Sequence, residues 1–381
     1  MNFETLMQVD LKKLKNNTKS LVKTYDDYQY KIANLKNNAY GIGYNIVNTL
    51  VNNGINYIQV GSLKEAVMVR KYNSNVPVVA SYFVTQEEVF DAINNNVDIT
   101  IYSLNHLEKI MELKIKDKVN VHLLIDNSSN KLGIDNSDEL EKVIDLINKH
   151  KYMNLKGICS NLTTLGVLDE YYYKQIMRFN NLVNCYKNED LMVYLNEPIM
   201  YHSKLKEING IAFDLSLLGI EENINDSLIS KIRINNIEKK YQDLEFPNIN
   251  LELVINITSE VMAIKKVTKG SLVGRNYVAK SDSIVAVVPI GHKDGITKAI
   301  NYVGINNTKR HVVADEIDYL IVEIDESVKL KDKVYIVNEE RGIYDFLTLL
   351  RTNRYYLMSI LNKEIRKEYI NIEDASTENY L

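Results

Sequence analysis

At 381 residues the chain is long enough for two domains and a large core. Hydrophobic residues make up 45% and charged residues 25%, as in ordinary soluble globular proteins, and a formal net charge of -4 leaves no basic footprint for nucleic acid. Cys159 and Cys185 are the only cysteines, too few for a disulfide framework, and they point to a reducing, cytoplasmic setting. The start shows no apolar core behind a basic region, and nothing approaches the roughly 18 apolar residues of a membrane span.

In chain order, residues 10–23 place Leu11, Leu14, Leu21 and Val22 on one side of a helix. Strand-like runs follow at 30–35, 56–60, 77–81, 98–102, 120–125, 156–160, 191–195 and 211–216. Helical patterns lie between them, among them 63–72, 86–95 and 138–150. This rhythm predicts a closed (β/α)8 barrel over 1–228, although the same alternation also suits a doubly wound open sheet. A polar stretch carrying Pro247 reads as a boundary. Beyond it, strand-like runs with Gly-bearing turns predict a C-terminal mostly-β domain over 229–381, whose tail returns to helical periodicity over 348–369.

Within the barrel pattern, residues 31–44 stand out. A short apolar run with Ile32 and Leu35 delivers Lys36 where a strand should end. Asn37, Asn38 and Gly41 then break the strand, and Gly43 opens a helix with Ile46, Val47, Leu50 and Val51 on its apolar side. In α/β barrels chemistry sits at the carboxyl ends of strands, so Lys36 is a candidate site residue; otherwise such a lysine is a solvated charge. The histidines show no paired metal-ligand spacing, and no metal is expected.

The stretch Lys36-Asn37-Asn38-Ala39-Tyr40-Gly41-Ile42-Gly43 resembles the cofactor-lysine motif of the alanine racemase family, with Ile42 in place of the usual histidine. The resemblance implies that Lys36 holds pyridoxal 5'-phosphate as a Schiff base and that Tyr40 reaches its phosphate. Residues 121–134 are similar to a family segment in which Lys131 stands for an arginine contacting the cofactor's phenolic oxygen, and Leu124 for a lysine that positions that arginine. Asn161 stands for a histidine against the pyridine ring, Asn196 matches the family, and Glu197 falls where a serine binds phosphate. Gly219 and Ile220 match positions whose backbone N–H groups hold the phosphate, whereas Leu217 replaces the arginine that pairs with the pyridine nitrogen.

Further on, residues 287–295 resemble a family segment with His292 in place of tyrosine, and residues 270–277 resemble the segment bearing the second base. Direct alignment puts Arg275 at the position of that tyrosine; a two-residue slip makes Tyr277 the nearest substitute, with His292 and His311 as alternatives. Asn362 falls where a phosphate-binding tyrosine is expected. The resemblance implies a racemase of alanine or another small amino acid, with Lys36 and Tyr277 as its two bases. It also implies a homodimer whose site the partner subunit completes. The alternative is a degenerate homologue that keeps the scaffold but serves as a binding or regulatory protein.

Overall fold

The computed structural model of the chain describes residues 5–82, 84–127, 130–161, 170–186, 190–196, 208–220, 249–296, 300–338, 354–361 and 364–372. The chain divides into two compact units. One holds Lys15–Ala39 and Tyr44–Leu251; the other holds Met1–Leu14, Tyr40–Gly43 and Glu252–Leu381. The boundary expected near residue 228 lies outside the described residues.

Strand β1 (Leu6–Asp10) and helix α1 (Leu11–Thr24) open the chain. The first unit is then built on eight parallel strands: β2 (Tyr30–Asn34), β3 (Tyr57–Val60), β4 (Val78–Ala80), β5 (Asp98–Ile101), β6 (Val119–Ile125), β7 (Met153–Ser160), β8 (Met192–Leu195) and β9 (Gly210–Phe213). Each pairs with the next, and β9 closes on β2 from Tyr30↔Gly210 to Ala33↔Phe213. The ring is therefore a closed barrel and not an open sheet. Helices α2 (Val47–Val51), α3 (Leu63–Tyr72), α4 (Val89–Asn94), α5 (Leu104–Met111), α6 (Ser137–Lys149) and α7 (Glu170–Val183) lie between the strands in sequence.

Start signals written in the sequence fix several of these helices: Ser62, Ser103 and Asn136 cap α3, α5 and α6 by accepting backbone amides of the first turn. The last expected strand, 211–216, stops at Phe213. Asp214 turns out of strand geometry, residues Leu215–Leu218 form a 3-10 turn, and Gly219 ends it at φ 70°. A left-handed closure of this kind suits glycine, which has no Cβ to clash.

The barrel interior is layered, because side chains two apart on a strand face the same way. Its middle is apolar, with Ile32, Val79, Leu124, Cys159, Met192, Ala212 and the rings of Tyr57 and Tyr194 packed together. Below lies a polar cluster. His122, fully buried, brings Nε2 to 3.2 Å from the Tyr57 hydroxyl and 3.3 Å from Asp98 Oδ2, and Nδ1 to 3.3 Å from the Tyr194 hydroxyl. Tyr57 donates to Asp98, and Asn120 donates to the other carboxylate oxygen at 2.9 Å. Burial pushes the Asp98 carboxyl up, but hydrogen bonds and charge from His122, with Tyr57 and Asn120, outweigh it and hold Asp98 below the usual carboxylate range. A Cβ on Gly157 would come within 2.5 Å of His122 Nδ1, so only glycine in β7 leaves room for the ring.

The second unit contains a nine-stranded sheet. Beyond the barrel these are β10 (Ile255–Glu260), β11 (Ala263–Val267), β14 (Ser283–Val288), β15 (Tyr302–Ile305), β16 (Thr308–Asp315), β17 (Leu320–Ile324), β18 (Lys333–Val337) and β19 (Arg366–Ile370). The order is β11-β14-β17-β16-β15-β18-β10-β1-β19. A separate hairpin pairs β12 (Leu272–Val273) with β13 (Tyr277–Val278). The expected helical tail is part helix, α8 (Arg354–Ile360), and part strand: β19 lies parallel to β1, from Leu6↔Arg366 to Asp10↔Ile370. Long-range pairing overrides the local periodicity there.

Candidate active site

Lys36 stands two residues past β2, at the carboxyl end of the first barrel strand, and its side chain is half-buried. The backbone after it is unusual. Asn37, Asn38 and Ala39 have φ and ψ between 47° and 58°, and Tyr40 has φ 57°, so the chain makes a left-handed helical turn. Left-handed geometry costs L-residues about 1–2 kcal/mol each, least for asparagine. The two asparagines are thus the local choice that lets the turn form. The Ala39 amide closes it by donating to the Leu35 carbonyl at 3.1 Å.

The Lys36 ammonium lies 4.5 Å from the centre of the Tyr82 ring, a cation–π contact. Asn161 Nδ2 donates to the Tyr82 hydroxyl at 2.8 Å, and Asn196 Nδ2 donates to Asn161 Oδ1 at 3.2 Å. Three expected residues, Lys36, Asn161 and Asn196, are therefore linked around the barrel mouth through a fourth that the sequence reading missed. The signal for Tyr82 was available: it stands two residues past β4 as Lys36 stands two past β2, both at carboxyl ends.

Along the strands from the apolar layer, the next interior positions are Asn34, Gln59, Ser81, Asp126, Asn161, Asn196 and Asp214. All but the half-buried Asn161 are buried. Barrel interiors are ordinarily filled with branched apolar side chains, so a polar top layer is a departure. Asn34 Oδ1, both amide atoms of Gln59, Ser81 Oγ and Asn196 Oδ1 meet no hydrogen-bond partner among the described residues. Buried polar groups of this kind call for a polar ligand or ordered water.

The positions expected to bind phosphate read differently. The Gly219 amide donates to Ser216 O at 2.9 Å and the Ile220 amide to Leu215 O at 3.0 Å, so both are engaged within their own turn. Leu217 is buried, its amide donates to Asp214 O at 3.0 Å, and its carbonyl accepts from Asn17 Nδ2 at 3.1 Å. Leu124 belongs to the apolar layer. Lys131 has an exposed side chain on the loop after β6, where its amide donates to Asp126 Oδ2 at 2.9 Å. Cys159 is buried near the site; burial pushes its thiol up to about 11, against the opposing influence of the Tyr194 hydroxyl and the Lys36 charge.

In the other unit, Tyr277 is half-buried on β13 opposite Val273, packed against an apolar cluster of Val273, Ala279, Val285 and Ile321. Arg275 is exposed and pairs with Glu316 at 2.9 Å. His292 Nε2 lies 2.5 Å from Asp315 Oδ2, an acid–histidine pair, while His311 is exposed on β16 opposite Tyr302. Ile42 is buried, and its carbonyl accepts from the Tyr369 hydroxyl at 2.7 Å. Tyr40 is buried with its ring 6.3 Å from that of Tyr355 on α8, a tyrosine the sequence reading passed over. Glu197 and Asn362 lie outside the described residues.

The chain matches the family model for the alanine racemase N-terminal domain over residues 9–195 and that for the alanine racemase C-terminal domain over residues 254–369. It belongs to the alanine racemase family. Among its relatives, alanine racemase 2 of Caldanaerobacter subterraneus subsp. tengcongensis is 24% identical, over 96% of this chain and 95% of the relative. The alanine racemase of Borreliella burgdorferi is 27% identical, over 95% and 96%. Among solved structures, the alanine racemase of Clostridium difficile 630 superposes with a TM-score of 0.85 at 22% identity, covering 97% of this chain and 96% of that one. A histidine racemase from Leuconostoc mesenteroides subsp. sake gives 0.81 at 16% identity, covering 96% and 98%. At such identities the structural likeness shows the fold, and the fold is that of the alanine racemases.

Alanine racemases are pyridoxal-phosphate enzymes, and the barrel unit of this family member fits that cofactor at its aldehyde end. A half-buried amine stands on an aromatic ring beside buried polar atoms that lack partners. Leu217, at the position expected to face the pyridine nitrogen, has no side-chain donor to offer. Among the described residues no group of three His, Cys, Asp or Glu side chains could hold a metal, and no helix is long and apolar enough to cross a membrane.

Proposed function

We propose that this chain is a pyridoxal-phosphate-dependent racemase that interconverts the L and D forms of alanine or another small amino acid. The observation that carries the reading is Lys36 at the end of the first barrel strand, on Tyr82, in a chain that matches both domain models of the family. Inverting an α-carbon needs an electron sink and a base on each face. When bound, the cofactor supplies the sink.

The chain's residues do the rest. Lys36 holds the cofactor through Nζ and moves the α-proton at that atom on one face. On the opposite face the partner subunit's Tyr277 carries the proton, so the working unit is a homodimer. Tyr40 and the Gly219–Ile220 turn hold the phosphate, while Lys131, Asn161 and Asn196 surround the ring. The setting is cytoplasmic.

A second reading, a degenerate homologue that binds without catalysing, is favoured by two observations. Leu217 is buried in the core where the family pairs a cation with the ring nitrogen, and the Gly219 and Ile220 amides already have acceptors. One experiment separates the readings: polarimetric or enantiomer-resolved assay over small amino acids, with the cofactor spectrum recorded on the same protein. Cofactor bound with racemisation supports the first reading; a cofactor-free protein inert toward every amino acid supports the second.

A further inference from the structure

The left-handed turn after Lys36 needs something outside itself to hold it, and the next βα loop supplies it. Glu65 is the third residue of α3, where a glutamate ordinarily folds back onto the amide of its own N-cap. Here the Ser62 hydroxyl accepts the Glu65 amide at 3.4 Å, but the Glu65 carboxylate reaches elsewhere. Oε2 accepts the Gly61 amide at 2.7 Å, and Oε1 accepts the Asn38 amide, inside the left-handed turn, at 3.2 Å. One carboxylate thus ties the loop after β3 to the loop after β2.

Three features surround this tie. A Cβ on Gly61 would lie 3.0 Å from Glu65 Oε2, tight enough to press on the carboxylate, and 3.7 Å from Lys36 Cγ, an ordinary contact with the stem of the lysine. The Tyr44 side chain is buried against the same group, and burial first, then the Glu65 charge, push its phenol up, with the Asn38 amide opposing. Asn38 itself sits at φ 57° and ψ 50°, a region that its residue type tolerates but does not prefer, so an outside bond to its amide acts at the strained point.

We propose that Glu65 is a positioning residue: its carboxylate clamps the left-handed turn at Asn38 and so presents the Lys36 amine at the barrel mouth. The proposal rests on the reading of Lys36 as the cofactor lysine, but the clamp itself is independent of any cofactor.

The test uses the full-length protein with Glu65→Ala and Glu65→Gln, and has two parts. Amide hydrogen exchange on cofactor-free protein reads the clamp: in Glu65→Ala the Asn38 and Gly61 amides should exchange about tenfold faster or more, as expected for losing a bond to a charged acceptor, while β6 and β7 keep their protection. Titration with pyridoxal phosphate and borohydride trapping, read at Lys36 by peptide mass, tests the consequence: half-saturation should rise about tenfold or more for the same reason. Glu65→Gln, whose side-chain oxygen can still accept one amide, should recover part of both effects, which general destabilisation does not predict.

Unchanged exchange at Asn38 and Gly61 in Glu65→Ala overturns the clamp, as does unchanged half-saturation when the wild type traps the cofactor. If Glu65→Ala does not fold, wild-type exchange at both amides in Glu65→Gln overturns it. If the wild type traps nothing at Lys36, the reading of that lysine fails instead, and the exchange rates alone decide the clamp.

Discussion

Lys36 is legible in the sequence because a short apolar run, a lysine and a pair of asparagines form a local pattern, and the pattern sits where barrel chemistry sits. Asn161 and Asn196 are legible by position, and the structure links both to Lys36 through Tyr82. Tyr82 and Glu65 carry only weak local marks, a strand's carboxyl end and the third helical position after Ser62, because the partners that give them their roles lie on other loops. The base opposite Lys36 remains the residue least fixed by pattern, since Arg275 occupies the aligned position and is paired with Glu316. If Tyr277 is that base, Tyr277→Phe should slow α-proton removal from one enantiomer by about a hundredfold or more, the usual scale of a general base, and leave the other direction far less affected. Deuterium washout from each enantiomer measures this. Equal slowing in both directions rejects the assignment, and the same asymmetry in His292→Asn transfers the role to the His292–Asp315 pair.

Among elements, the barrel strands are nearly all where alternation and apolar runs put them, because each is short, buried and bounded by turn residues. Their ends are set by chemistry that the runs do not reveal. The strand expected to reach 216 stops at Phe213 because Gly219 closes a 3-10 turn. Nothing in the apolar pattern announces the Asp98–His122–Tyr194 cluster, since polar residues inside a strand look like a solvent face. Two predictions belong here. Gly157→Ala places a methyl against His122 and should cost about 1–3 kcal/mol, the scale of overpacking, read as a lower urea midpoint; an unchanged midpoint contradicts the packing.

Asp98 adds a pH signature. Its folded pKa is depressed, so its stabilisation is complete above the unfolded carboxylate value of about 4 and drains away as pH falls through the lower folded value. Wild-type stability should therefore fall more steeply than that of Asp98→Asn on acidification below about pH 4. Urea midpoints across that range measure it, and parallel curves would remove Asp98 as the cause.

At the scale of the molecule, a barrel followed by a β unit was legible from the change of texture near Pro247. The membership of the units was not. Strand β1 belongs to the β unit and pairs with β19, and Gln8 and Glu368, bonded at 2.7 Å across that pair, are 360 residues apart in sequence. No window along the chain contains both strands, so local reasoning turns β19 into a helix. Assembly is also a property of this scale. If the partner completes the site, light scattering at micromolar concentration should return twice the mass of the 43.9 kDa chain, and a monomeric protein with full racemase activity contradicts that part of the account.

The most direct test of the central claim is the visible absorbance of the purified protein with pyridoxal phosphate, before and after borohydride, beside Lys36→Ala. The account predicts a Schiff-base band that borohydride converts to a stable adduct mapped to Lys36 and that is missing in the alanine variant. No band at saturating cofactor, or an equal adduct in Lys36→Ala, contradicts it.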